Sequence, residues 1–210
     1  MNKITFFLLF CAITVFAADS ALAPIKLNQP RLNHGKLLME ALSARHTERS
    51  FATTEITIEV LSDLCWAAFG INRADGKRTA PSAMNKQEID IYAAMASGLY
   101  LYDPKNNQLT PVLSQDLRPL AGKQPFVASV PLCLIYVADT ARMGKDSAAN
   151  DFYSAADTGF ISQNVYLYCA SEGLVTVVMG MVDKEKLASA MKLRPEQKII
   201  LSQAVGWPGK

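Results

Sequence analysis

The run Val130–Ala138 (VPLCLIYVA) contains no charged side chain. Side chains of a strand alternate between its two faces, so an apolar run of this length fits a strand only if both faces are covered. It is therefore read as the central strand of a sheet with a packed layer on each side. A chain of 210 residues is enough for one such core. Helical and strand-like segments interleave around this run without a repeat or a linker, which implies a single α+β domain of layered α/β/α build, helices flanking a central sheet.

The flanking elements follow from periodicity. Gly35–Ala44 spaces Leu37, Leu38, Met39, Ala41 and Leu42 as a core-facing helix. Thr57–Phe69 is a second helix, with Thr57 as cap and Gly70 as stop. Ile89–Ala93 reads as a strand, and Gly98–Tyr102 with Gln108–Val112 as a hairpin about Asp103–Asn107. Ser114–Ala121 is expected to be a short helix. Asp151–Glu172 is a long helix so poor in charge that it is expected to be buried, in part at a subunit interface. Val175–Val178 and Ile199–Val205 read as strands and Lys184–Met191 as a helix, whereas the lead-in bearing Pro24 and Pro30 suggests no element.

The mean hydropathy of +0.11 owes much to the first 17 positions. Met1–Lys3 followed by apolar Ile4–Phe16 has the form of a secretory leader, with cleavage after Ala17 or Ala23, leaving one domain over 24–210 that is exported to the periplasm. No membrane span is expected once the leader is gone. With 21 Lys and Arg against 19 Asp and Glu, the net charge of +2 argues against a nucleic-acid partner. Cys65, Cys133 and Cys169 are odd in number, unclustered and set in apolar segments, so they are expected to be small buried hydrophobes rather than disulfide or metal ligands. Glu48/Glu55 and Asp151/Asp157 are expected on solvated faces, and on composition Met84, Met179, Met181 and Met191 are core fillers. His34 and His46 lack the neighbours of a catalytic triad, and no Walker or hydrolase-elbow motif is present.

Three pieces are more polar, or more glycine-dependent, than folding alone requires. Arg45-His46-Thr47-Glu48-Arg49-Ser50-Phe51 offers two guanidiniums and a hydroxyl suited to a phosphate and a polarised carbonyl. Thr79–Gln87, with Pro81, Ser82, Ala83, Met84, Asn85 and Gln87, is a loop of small and amide residues entering a strand. Thr176–Met181 places Gly180 just after a buried strand, where backbone can approach a ligand closely.

In this order the pieces resemble the FMN-dependent nitroreductase family, over about Lys36–Trp207. The R-x-[ST]-x-[RK]-x-[FY] pattern falls on Arg45, Thr47, Arg49 and Phe51, and P-S-x-x-N-x-Q on Pro81, Ser82, Asn85 and Gln87. The G-x-x-x-Q-N of a long helix falls on Gly159, Gln163 and Asn164, and the closing motif on Gly206-Trp207-Pro208. Arg78–Ala83, the Gly98–Pro104 hairpin and the loop Asn72–Lys77 look closest to the branch that includes azoline-forming dehydrogenases.

The resemblance implies a mixed central sheet in an obligate-type homodimer that binds FMN. Arg45, His46, Thr47 and Arg49 would hold the phosphate and pyrimidine edge, and the 81–87 loop would reach the site of a partner subunit. The backbone of Val178, Met179 and Gly180 would face the ring, and Lys210 is a further candidate for the phosphate. It implies hydride or electron transfer between a small-molecule donor such as NAD(P)H and an acceptor such as a nitroaromatic or quinone, needing no metal and no protein nucleophile. Arg49 would stabilise the negative charge that accumulates on reduction. Two departures bear on the substrate: Glu88-Ile89 replaces the usual Pro-Trp, and Val178 replaces a common proline. A noncatalytic flavin-binding protein and an azoline-type dehydrogenase remain alternatives.

Overall fold

The computed structural model of the protein describes residues 22–210. The leader read over Met1–Phe16, with Cys11 and the cleavage position after Ala17, lies outside the described residues. The chain runs β1 (Ile25–Lys26), α1 (Leu38–Ala44), α2 (Ile58–Phe69), β2 (Ile89–Met95), β3 (Gly98–Asp103), β4 (Gln108–Leu113), β5 (Leu132–Asp139), α3 (Ser147–Glu172), β6 (Val175–Met179), α4 (Lys184–Met191) and β7 (Gln197–Gly206). The strands form one sheet in the order β1-β4-β3-β2-β5-β7-β6. Every described pairing is antiparallel, so the α+β layered class holds while the sheet is antiparallel rather than mixed.

All eight residues of β5 are buried. Leu132, Leu134, Tyr136 and Ala138 face a core built with α2 and α3. Cys133, Ile135 and Val137 face a second core closed by α4 and the turns around Leu117 and Val127. Each fully buried Leu or Ile there contributes roughly 1.5–3 kcal/mol of transfer free energy. The three cysteines are free and buried, and burial pushes the Cys65 and Cys133 thiols up to about 12, so they act as apolar filler.

Local chemistry places the helices that carry the site. The Thr57 hydroxyl accepts the Val60 amide at 3.5 Å, capping α2. The Asp146 carboxylate accepts the Ala148 and Ala149 amides at the start of α3. Gly173 closes that helix at φ 75°, a left-handed conformation that glycine adopts without a Cβ penalty.

Four expectations change. The helix Gly35–Ala44 starts only at Leu38, and of its residues only Ala41 is buried; Leu37 and Met39 are each 74 % exposed. Its apolar stripe therefore faces away from this chain's core. Ser114–Ala121 shrinks to a single 3-10 turn at Arg118–Leu120, because Pro119 lacks an amide hydrogen and its ring clashes with a preceding helical turn. The lead-in holds a strand, β1, with Ile25 paired to Leu109. Finally, Met84 and Met181 are exposed, and only Met179 and Met191 fill the core.

Sealing β5 from water forces its polar neighbours to pair with one another. The Tyr136 hydroxyl donates to Gln203 Oε1 at 2.5 Å, and Gln203 Nε2 donates to Thr176 Oγ1 at 3.0 Å. Thr176 in turn donates to the Ala204 carbonyl at 2.7 Å. This chain locks β5, β7 and β6 together without solvent. Tyr136→Phe deletes the first donor and leaves Gln203 Oε1 buried without it, so urea denaturation should show a loss of about 1–3 kcal/mol.

Candidate functional site

The first polar piece begins where α1 ends. Arg45 is the C-cap of α1 and takes an extended backbone conformation, which turns the following residues along the edge of the sheet. The Glu48 amide donates to the Thr176 carbonyl at 3.1 Å, the Ala52 amide to the Trp207 carbonyl at 2.9 Å, and the Gly209 amide to the Ser50 carbonyl at 3.0 Å. Phe51 forms a β-bridge with Pro208. Residues 45–51 thus lie between the strand that carries the third piece and the closing Gly206-Trp207-Pro208, uniting three sequence motifs.

Tyr166 of α3, which no motif had singled out, joins them. Its hydroxyl accepts the Val178 amide at 3.1 Å and lies 3.0 Å from Thr47 Oγ1. The Arg45 guanidinium stands 5.4 Å from the centre of the Tyr166 ring, within cation–π range. A single tyrosine on a long helix gives no sequence signal, because its role depends on which strands pass its tip.

The electrostatics of this edge favour an anion. Among the described residues, the side chains of Arg45 and Arg49 make no ion pair or hydrogen bond. The one carboxylate of the piece, Glu48, is turned back on the chain: it accepts the Arg49 and Ser50 amides at 2.6 and 2.9 Å, and these bonds hold it below its ordinary range. Its charge is held first by these amides and only more weakly by His46 and the Arg49 guanidinium, with which it forms no ion pair. His46 Nδ1 lies 2.7 Å from the Ala44 carbonyl, so Nδ1 carries the hydrogen and Nε2 is left for another partner. Lys210 is exposed and follows Gly209, which is bonded to Ser50.

In the third piece Val178 is half-buried and the Met179 side chain lies in the core, so Met179 can offer a ligand only its backbone. Gly180 is exposed, and a Cβ there would meet only Leu201 Cδ2 at 3.7 Å. The protein's own packing thus has room for a side chain at position 180. Of the long-helix motif, the Asn164 amide donates to the Ala67 carbonyl and ties α3 to α2, while Gly159 and Gln163 are exposed.

The second piece lies elsewhere. Pro81–Gln87 precedes β2 and packs against the first half of α3, where the Ala83 amide donates to Asp157 Oδ2 at 2.8 Å. Met84, Asn85 and Gln87 take φ values of 51°, 53° and 48°. Left-handed backbone at a residue other than glycine costs on the order of 1–3 kcal/mol, and persists where surrounding contacts enforce it. Those contacts are the Gln87 amide on Ser82 Oγ at 2.9 Å and Arg78 Nε on Gln87 Oε1 at 2.8 Å. The loop projects Met84 outward, 74 % exposed.

A cavity of about 300 Å³ beside His46, Glu48 and Ser50 takes no residue from 81–87, and none of Arg45, Thr47, Arg49 or 178–180. One of about 570 Å³ beside Arg78, Lys86 and Gln87 takes none from 45–51 or 178–180. A further space of about 550 Å³ under the strap of residues 30–36 holds His34 between Asp63 and Glu172 and takes only Thr79 from the three pieces.

Behind the second piece, the expected solvated carboxylates include a buried one: Asp157 is almost fully buried, because its helix face packs on β2 and the loop. Beside it Glu88 is 0 % exposed, and neither of its carboxyl oxygens has a hydrogen-bond partner among the described residues. Burial, and then the charge of Asp157, push its carboxyl up from 4.5 to about 7.

Comparison with known proteins follows the same motifs. Residues 42–207 match the model of the Nitroreductase family. A Methanocaldococcus jannaschii protein named as a candidate nitroreductase is 29% identical over 168 residues, covering 75% of this chain and 85% of its own. The crystal structure of a candidate nitroreductase from Ralstonia eutropha superposes with a TM-score of 0.85 at 40% identity, covering 89% of this chain and 90% of that one. Another, from Desulfovibrio desulfuricans and described as a complex with FMN, shares the fold at 18% identity with a TM-score of 0.62, covering 83% and 88%.

Two outcomes test this geometry. Tyr166→Phe removes the acceptor of the Val178 amide, so hydrogen exchange at Val178 should accelerate by about fivefold or more, equivalent to about 1 kcal/mol of lost bonding. For Glu88, the folded chain keeps between about pH 4.5 and 7 a proton that the unfolded chain has released. Its contribution to unfolding free energy is complete below about 4.5 and lost as pH rises through 7, a fall of about 3 kcal/mol. Glu88→Gln should abolish that fall and be the more stable protein at about pH 8 in urea denaturation.

Proposed function

The chain belongs to the nitroreductase family, and we propose that it is an FMN-dependent oxidoreductase moving hydride or electrons between a small-molecule donor, such as NAD(P)H, and a small organic acceptor, such as a nitroaromatic or quinone. The observation that carries the reading is the cationic edge of Arg45 and Arg49, which forms no ion pair among the described residues and whose Arg45 and Thr47 meet Tyr166, the partner of the Val178 amide just before Gly180.

The residues present fit that cofactor. Two guanidiniums that form no ion pair among the described residues, with the Thr47 hydroxyl, suit a phosphate and a carbonyl-rich ring edge. The exposed Gly180, whose missing Cβ has nothing of the protein to avoid but Leu201, suits a flat ring lying against the backbone. When bound, FMN supplies the redox chemistry. Arg49 stabilises negative charge developing on the pyrimidine side. Arg45 and Lys210 hold the phosphate, His46 offers Nε2, and the Val178–Gly180 backbone orients the ring. No side chain need act as a nucleophile.

A second copy completes this reading. The 81–87 loop, with Ser82, Asn85 and Gln87 held in place, opens away from the cationic edge of its own chain. Five of the exposed large apolar residues lie on two neighbouring helices: Leu38, Met39 and Leu42 on α1, and Phe152 and Phe160 on α3. A homodimer paired through α1 and α3 buries them and brings the loop of one subunit to the edge of the other. The leader at Met1–Phe16 directs this dimer to the periplasm.

Purified protein should carry a flavin spectrum and oxidise NADH or NADPH only when a nitroaromatic or quinone is supplied. A bound flavin without turnover would favour the azoline-type or noncatalytic alternatives. Arg49→Ala should weaken FMN binding by about tenfold or more, about 1.4 kcal/mol, in a fluorescence titration. Phe160→Asp should convert the dimer to monomer in light scattering and release the flavin with it.

A further inference from the structure

Glu88 is the one carboxyl group of the described residues that is sealed from water with both oxygens unpartnered. It follows Gln87, the last left-handed residue of the 81–87 loop, and its carbonyl accepts the Asp139 amide at 2.9 Å, which anchors its backbone to the end of β5. The nearest cation is already committed. Arg142 donates to the Gln87 carbonyl at 2.9 Å and to Asp90 at 2.6 Å, and lies 3.4 Å from Asp139, whose other partner is Arg194. What faces the Glu88 carboxyl from α3 is Asp157, which holds the Ala83 amide with Oδ2.

We propose that Glu88 and Asp157 form a carboxyl–carboxylate pair that positions the 81–87 loop, so that the loop's grip on its ligand depends on the proton carried by Glu88. The neutral Glu88 carboxyl donates its O–H to Asp157, and Asp157 accepts the Ala83 amide with its other oxygen. Loss of that proton to solvent leaves two carboxylates together in a site without water. Asp157 is then driven from Glu88, and its hold on the Ala83 amide, which ties the loop to α3, weakens. Glu88 is thereby a positioning residue, acting through Asp157 on the loop and never touching the ligand.

The consequence for binding rests on the reading that the 81–87 loop contacts FMN; the consequence for the loop does not. FMN titrations of wild type, Glu88→Gln and Asp157→Asn from about pH 6 to 8.5 should show affinity falling by about tenfold more in wild type than in Glu88→Gln, since titration of the FMN phosphate is common to both. In Asp157→Asn the amide oxygen still accepts from Ala83, and the midpoint of the fall should move to lower pH because the neighbouring charge is gone. Parallel profiles for wild type and Glu88→Gln, or an unmoved midpoint in Asp157→Asn, would overturn the proposal. Hydrogen exchange of residues 81–87 without FMN reads the loop directly. Wild type should lose protection relative to Glu88→Gln above about pH 7, and an equal pH trend in the two would also overturn it. If no variant binds FMN at any pH, the flavin reading falls and the exchange data still decide the pair.

Discussion

β5 carries Leu134 and Tyr136 on one face and Cys133 and Ile135 on the other, all fully excluded from water, and the rest of the molecule is arranged to keep it so. α2 and α3 cover one face, and α4 with the turns near Leu117 and Val127 covers the other. A strand sealed on both sides cannot bind anything, so function is displaced to the ends and edges of the sheet. The cationic edge runs beside β6, the outermost strand, and the left-handed loop sits where the chain enters β2. The same sealing explains the Tyr136–Gln203–Thr176 chain, since polar groups beneath two apolar layers must satisfy one another.

Three buried acids show how differently one chemical group can be used. Asp63 is paired with the Arg31 guanidinium at 2.7 Å and approached by His34, and so fastens the strap of residues 30–36 to α2. Asp157 spends one oxygen on a backbone amide of the loop. Glu88 has no hydrogen-bonded base among the described residues, and in low dielectric such a carboxyl avoids the desolvation penalty by keeping its proton. Burial raises the Glu88 carboxyl toward neutrality, and it lies directly behind the left-handed residues of the 81–87 loop.

The candidate site is distributed for a physical reason. One chain presents a cationic edge and, on another side, a rigid loop, while its α1 and outer α3 residues remain apolar and uncovered. The proposed isologous homodimer would resolve both features at once, burying the apolar helices and bringing each loop to the edge of its partner.

Much of this was legible in the residues. The uncharged run 130–138 announced the central strand and therefore the layers. The apolar period of Thr57–Phe69 specified its helix, and the order of polar motifs pointed to the family. Apolar periodicity at Leu37–Leu42 defined a helix but not its burial, because a stripe facing a core and one facing a second subunit have the same pattern. The sense of the sheet, the joining role of Tyr166, and the burial of Glu88 and Asp157 were invisible, since each depends on residues distant in sequence brought together by packing. Local propensity and hydrophobic period determine which elements form. Only the tertiary structure decides which charges lose their water, and that loss turns an ordinary glutamate into a group that holds its proton near neutral pH.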